Sequence, residues 1–300
     1  MNRPSAYQPH LPYIAPALPS NDLLRLAIGF VLIETGYKFG LQAVDALLTS
    51  PGLAEGYYNG TTRGGLLLQL FSFGLLALAV GFVTHHLHRR PAWTLIGPPQ
   101  QAWQDLRKVT WAGLMAFLVI EVAPPFYSYA EGDWNAPLLW LTTLPLAMFA
   151  LLIQTGAEEL LYRGYFQQQL AARFRSPLVW MVVPNLFFAA AHWNNASTTN
   201  EALDYVTWAF FFGLAASDLT ARSGTIGAAI GFHLANNAFA FLFFNEAGGM
   251  DSGLALLLFP ASESLLPPSA AEAPFPSWRL VQELGVMLII WLSARIAIKR

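Results

Sequence analysis

Cysteine is absent from all 300 residues, which excludes disulfides, thiolate zinc sites and cysteine nucleophiles together. Charge is nearly as scarce. Only 11% of positions are Asp, Glu, Lys or Arg, against about 25% in an ordinary soluble domain. The net charge of -2 offers no basic excess for nucleic acid, so no nucleic-acid partner is expected. Also missing are an HExxH zinc helix, a GxSxG nucleophile elbow, and Walker or GxGxxG phosphate loops. No serine stands in an obvious Ser-His arrangement. If the chain is a hydrolase, an activated water is the simplest nucleophile left to it.

What is present is hydrophobic: 55% of the residues. Apolar runs of roughly spanning length occur at about 23–48, 65–86, 109–128, 137–155, 177–192, 203–221, 225–244 and 280–297. They predict an all-α fold, a polytopic transmembrane bundle of about eight spans. Residues 1–22 are rich in proline and lack an apolar run, so they read as a short cytoplasmic tail and not a signal peptide. Segment 254–260 is too short to span and reads as an interfacial piece. No linker or repeat divides residues 23–300, which are taken as a single transmembrane domain.

Basic residues group in alternate loops: Arg89, Arg90, Arg107 and Lys108, then Arg173 and Arg175, then Arg222, then Arg295, Lys299 and Arg300. The opposite loops carry Glu55, Glu131, Asp133, Glu201, Glu246, Asp251, Glu263 and Glu272. The positive-inside rule then places both termini in the cytoplasm, with the bacterial inner (plasma) membrane as the expected location. A helix running unbroken from about 137 to 172, bent near Pro145 or Gly156, would put Glu158 about 22 Å from the Arg173–Pro177 turn. His192 on the returning helix lies about as far from it, so the two meet at one depth.

Ionisable groups at membrane depth need a partner or a wet cavity. Glu34 with Lys38, and Asp218 with Arg222, have ion-pair spacing and read as structural. Glu283 has no evident role. Glu159 and Arg163 share a helix face at i and i+4 and predict a pair, leaving Glu158 without a cation of its own and suited to general-base work. His192 ends the run Phe188–His192, in which Phe188 reads as packing. His233 lies well inside an apolar run with Asn237 four residues on, so one helix face offers two hydrogen-bond donors to an oxyanion. Gly227 and Gly231 form a GxxxG that lets a neighbouring helix approach closely.

EELLYRG (158–164), FAAAH (188–192) and HLANN (233–237) resemble, in order, the EExxxR, FxxxH and HxxxN motifs of the CAAX-protease and bacteriocin-processing family, also called Abi or lysostaphin-resistance-A-like. The protease-like motif core is set at about 137–245. The resemblance implies an intramembrane endopeptidase in which Glu158 activates water with help from His192. His233 and Asn237 would form an oxyanion hole, and Glu159 and Arg163 would support the site. The family has been described both as metalloproteases and as metal-free glutamic proteases. A divalent metal such as zinc would fall to Glu158, His192 and His233; the metal-free reading is favoured, with no cofactor, because Asn237 suits a donor. Expected partners are the lipid bilayer and a membrane-embedded or lipid-anchored protein or peptide substrate. The competing readings are a proton-coupled transporter and a non-catalytic bacteriocin-immunity or scaffold protein on the same fold.

Overall fold

The computed structural model describes residues 5–123, 131–196, 198–260 and 274–299. Outside them lie the expected end of the third apolar run at 124–128, the acidic Glu263 and Glu272, and Arg300. The architecture is a helical bundle. Its main helices are α1 (Leu23–Asp45), α2 (Pro51–Asn59), α3 (Arg63–His86), α4 (Pro99–Val122), α5 (Pro137–Arg173), α6 (Pro177–Ala191), α7 (Thr199–Ser223), α8 (Gly227–Leu242) and α9 (Trp278–Ile298).

Local chemistry sets several of these boundaries. Asp22 caps α1 by accepting from the Arg25 amide, and Thr62 and Ser277 do the same for α3 and α9. Thr198 and Glu201 close a capping box at the start of α7, which ends on Gly224 in the left-handed region.

Among the described residues, three helices, α3, α5 and α9, are long and apolar enough to cross a membrane. A fourth span results if the bent pair His10–Ser20 and α1, which turns through 94°, is counted as one. That measure does not confirm the expected eight spans. The 15 residues of α6 cover only ~22 Å, short of the ~30 Å hydrocarbon core. The 16 residues of α8 reach little further. Charged and polar residues dilute α4 and α7.

The expected continuous helix at 137–172 is present as α5. It includes a π-helical stretch at Leu160–Gln167, directly after the carboxylate pair. Single π turns inside α-helices are a frequent mark of functional sites.

Packing follows the small residues. A Cβ on Gly227 would lie 2.0 Å from the Ala102 carbonyl oxygen, and one on Gly231 would lie 2.5 Å from that of Leu106. The GxxxG of α8 therefore does seat its backbone against α4, as its spacing predicts. Leu66 and Leu70 of α3, Ala147 and Leu151 of α5, and Leu234 and Ala238 of α8 form a buried cluster where those three helices meet.

The all-α expectation holds but for one small sheet. β1 (Asp133–Trp134), β3 (Leu257–Phe259) and β2 (Phe244–Glu246) lie in the order β1-β3-β2, antiparallel then parallel. The segment read as interfacial supplies its central strand. The N-terminal residues are packed into the bundle. The Tyr13 hydroxyl donates to the carbonyls of Leu95 (2.7 Å) and Arg163 (3.2 Å). His10 is fully buried against the Trp180 ring.

Candidate active site

The site forms where α5 and α8 run antiparallel. Gln154 and Glu158 share one face of α5, and His233 and Asn237 share one face of α8, each pair four residues apart. The contacts make two rungs. In one, Asn237 Nδ2 donates to Gln154 Oε1 at 2.9 Å. In the other, about one turn away, His233 Nε2 lies 3.6 Å from Glu158 Oε2 while its Nδ1 donates to Glu159 Oε1 at 2.8 Å.

Glu159 is held as its spacing predicts. Arg163 Nη1 donates to Glu159 Oε1 at 3.0 Å, and both side chains are wholly buried. Arg163 Nη2 donates to Asn185 Oδ1 and to the Gly213 carbonyl, both at 3.1 Å. The guanidinium also lies 4.8 Å from the Phe188 ring centre, within cation–π range. Gly213 is required here, since a Cβ would fall 2.2 Å from Asn185 Oδ1. Glu158 has no such clamp: its Oε2 is buried without a hydrogen-bond partner. The 3.6 Å gap to His233 Nε2 is too long for a hydrogen bond, so a carboxylate oxygen and a ring nitrogen converge on one spot without closing on each other.

His192 ends α6 as expected, and its Nδ1 donates to the Phe188 carbonyl at 2.7 Å. That bond fixes the ring and leaves Nε2 to face other groups. The ion contacts of Glu158 within 4 Å include His233 but not His192. Phe188 joins the two histidines instead, its ring 4.6 Å from that of His192 and 6.3 Å from that of His233. Beyond the packing read for it, Phe188 therefore carries the Arg163 guanidinium on its face. Between α6 and α7 lies an open, mainly apolar groove of about 450 Å³ lined by Leu186, Ala189, Ala190, Trp193, Val206, Thr207 and Phe210.

Among the described residues, no group of three or more His, Asp or Glu side chains is arranged to hold a metal ion. The set Glu158, His192 and His233 does not fit one as placed.

Sequence reading missed Gln154, Asn185 and Asn236, whose Nδ2 donates to Asn237 Oδ1 at 3.1 Å. Each is an amide inside a strongly apolar helix, and that incongruity was the available signal. Of the pairs read as structural, Asp218–Arg222 forms at 2.8 Å and also binds Tyr7 and Trp291. Glu34 and Lys38 make no ionic contact within 4 Å, but Lys38 still acts electrostatically on Glu34, and Glu34 and Glu158 both act on Tyr37 and Tyr162. Glu283, which had no assigned role, pairs with Arg279 at 2.8 Å.

A helical, membrane-type bundle with a carboxylate, two histidines and an amide brought near its interior has the makings of a membrane hydrolase. Residues 140–239, the segment that carries the three motifs, match the family model described as type II CAAX prenyl endopeptidase Rce1-like. The family supports a membrane protease function for the chain. A relative in Bacillus subtilis (strain 168), the uncharacterized protein YyaK, is 28% identical over 236 residues, covering 75% of this chain and 72% of its own. No solved structure matches the chain.

Proposed function

We propose that the chain is an intramembrane endopeptidase that hydrolyses a peptide bond of a membrane-associated protein or peptide, with Glu158 as the base that activates water. The observation that carries this reading is the unequal treatment of the two carboxylates. Glu159 Oε1 is bonded to both Arg163 and His233, although its Oε2 has no partner, whereas the buried Glu158 Oε2 has no hydrogen bond and only a histidine nitrogen 3.6 Å away.

In the proposed reaction, Glu158 accepts a proton from water as the oxygen attacks the carbonyl carbon. The developing oxyanion takes hydrogen bonds from Asn237 Nδ2 and from His233 Nε2 when that ring carries both protons, its Nδ1–H being held by Glu159. Glu158 then passes the proton to the amide nitrogen as the C–N bond breaks, so the base ends the cycle unchanged. His192, fixed through Nδ1, would steady the attacking water through Nε2. Glu159 and Arg163 orient His233. No step runs through a metal.

The open apolar groove between α6 and α7, near the end of the helix that carries His192, suits a lipidic or hydrophobic part of the substrate, in keeping with a membrane-associated peptide. The description of the matched family makes a prenylated peptide ending in a CAAX sequence the first substrate to try. By loop charge, the protein would sit in the bacterial inner membrane with both termini cytoplasmic.

The test incubates purified wild type and Glu158→Gln with farnesylated and unmodified CAAX peptides and with a digest of solubilised membrane proteins, and measures metal content on the same samples. New termini produced by wild type alone, in protein without stoichiometric metal, are expected. Equal cleavage by Glu158→Gln, or activity that tracks bound metal, would overturn the reading.

A further inference from the structure

Asn237 is useful to an oxyanion only if its amide presents N–H and not C=O to the reacting oxygen. An isolated asparagine does not guarantee this, because a half-turn about its last bond exchanges the two. Here both ends are occupied: Asn236 Nδ2 donates to Asn237 Oδ1 at 3.1 Å, and Asn237 Nδ2 donates to Gln154 Oε1 at 2.9 Å. The oxygen is thus spoken for from within α8, and one of the two Nδ2 hydrogens is committed across to α5. The second Nδ2 hydrogen is left to donate elsewhere. Asn237 and Gln154 are 8% and 7% exposed, so little water competes for these bonds.

Gln154 also stands in a defined relation to the base. It lies four residues before Glu158 on α5, as Asn237 lies four after His233 on α8, and the helices run antiparallel. The Gln154–Asn237 rung therefore sits about one helical turn, ~5.4 Å, from the Glu158–His233 rung. A single bond across the interface sets the height and the rotation of the donor relative to the base.

We infer that Gln154 is a positioning residue for peptide-bond hydrolysis, which orients the Asn237 amide so that its free N–H faces the oxyanion. This rests on the function proposed above. Gln154 does not itself touch the substrate; it acts through Asn237. Without the Gln154 oxygen, the Asn237 amide is held only by the Asn236 bond and turns its carbonyl more readily toward the developing negative charge, which stabilises nothing there. The effect falls on turnover, not on substrate binding, because the charge exists only in the transition state.

The test is a double-mutant cycle on Gln154 and Asn237 in the full-length protein in detergent, using the peptide cleaved fastest by wild type. Gln154→Leu is expected to lower kcat by ~10-fold or more with KM within about two-fold, somewhat less than loss of the donor itself. In the Asn237→Ala background the same change is expected to lower kcat by less than about two-fold, because the group it positions is gone. A purely structural role would give an equal fall in both backgrounds and would overturn the inference, as would a rise in KM with kcat intact. If Gln154→Leu does not fold, Gln154→Met is taken through the same cycle; failure of both to fold would assign Gln154 to stability and overturn the inference too. The two readings remain separable. Full activity in Glu158→Gln removes the proposed function, whereas an inactive Glu158→Gln beside a fully active Gln154→Leu removes only the role of Gln154.

Discussion

Replacing Arg163 by methionine should be among the most destabilising changes available in this protein. Arg163 is fully buried, as is its partner Glu159. Removing the guanidinium strands a buried carboxylate whose remaining partner is His233. Breaking a buried ion pair from one side costs about 3–5 kcal/mol. The Asn185 and Gly213 oxygens lose their donor as well, at roughly 1–3 kcal/mol for a buried unsatisfied group. These costs overlap, because all three acceptors surround one guanidinium. A total near 4–6 kcal/mol is therefore expected, large against the roughly 5–15 kcal/mol that holds a domain folded. Thermal unfolding in detergent, followed by light scattering and tryptophan emission, measures it. The charge argument has its own control: adding Glu159→Gln to Arg163→Met removes the stranded charge and should recover at least about 1 kcal/mol. If the double variant is no more stable than Arg163→Met, the loss comes from packing and the electrostatic reasoning fails. Arg163→Lys should restore only part of the stability, since a single ammonium cannot reproduce the planar fork.

Three further outcomes are expected. Asn237→Ala should lower kcat by ~10²–10³ with a smaller effect on KM if it removes an oxyanion donor; steady-state kinetics on the same peptide would read this. Gly231→Val should destabilise by about 1–3 kcal/mol through overpacking, because its Cβ would meet the Leu106 carbonyl at 2.5 Å, whereas Gly285→Ala, with nothing within 4 Å, should unfold at the wild-type temperature or above it. Burial pushes the Asp251 carboxyl up to about 6 from 3.8. A raised carboxyl favours folding in its protonated state, so its contribution is present below about pH 4, fades between about 4 and 6, and becomes a constant penalty above. Asp251→Asn should accordingly raise the unfolding temperature at pH 7.5 and leave it nearly unchanged at pH 4. An equal rise at both values would refute the assignment to charge.

Features that depend on a single helix are legible in the sequence. The Glu159–Arg163 and Asp218–Arg222 pairs follow from i, i+4 spacing, and the close approach of α8 follows from Gly227 and Gly231. The continuous α5 followed from asking how Glu158 and His192 could share a depth. Features that depend on which helix faces which were not legible. Spacing says that Gln154 and Glu158 share a face, but not that α8 lies opposite and antiparallel to it, so Gln154 went unnoticed. The ionic contact nearest Glu158 is His233 across that interface, at 3.6 Å, while His192 bonds its own backbone. Glu34 and Lys38 have the spacing of a pair, yet the α1 face that carries Glu34 turns toward Tyr162. Hydropathy finds apolar runs without seeing helix ends, so it does not show that α6 and α8 are shorter than a full span. The π stretch at Leu160–Gln167 has no composition of its own; it arises where α5 must accommodate a buried guanidinium bonded to two other helices.

The division of labour between the two adjacent carboxylates is the claim on which the functional account stands. It is tested most directly by comparing Glu158→Gln and Glu159→Gln for cleavage rate and unfolding temperature in one preparation. Glu158→Gln should cut at background level while unfolding close to the wild-type temperature, and Glu159→Gln should unfold well below it while keeping measurable turnover below its transition. A Glu158→Gln variant that cleaves at the wild-type rate, or a fully stable Glu159→Gln variant with no activity, would contradict it.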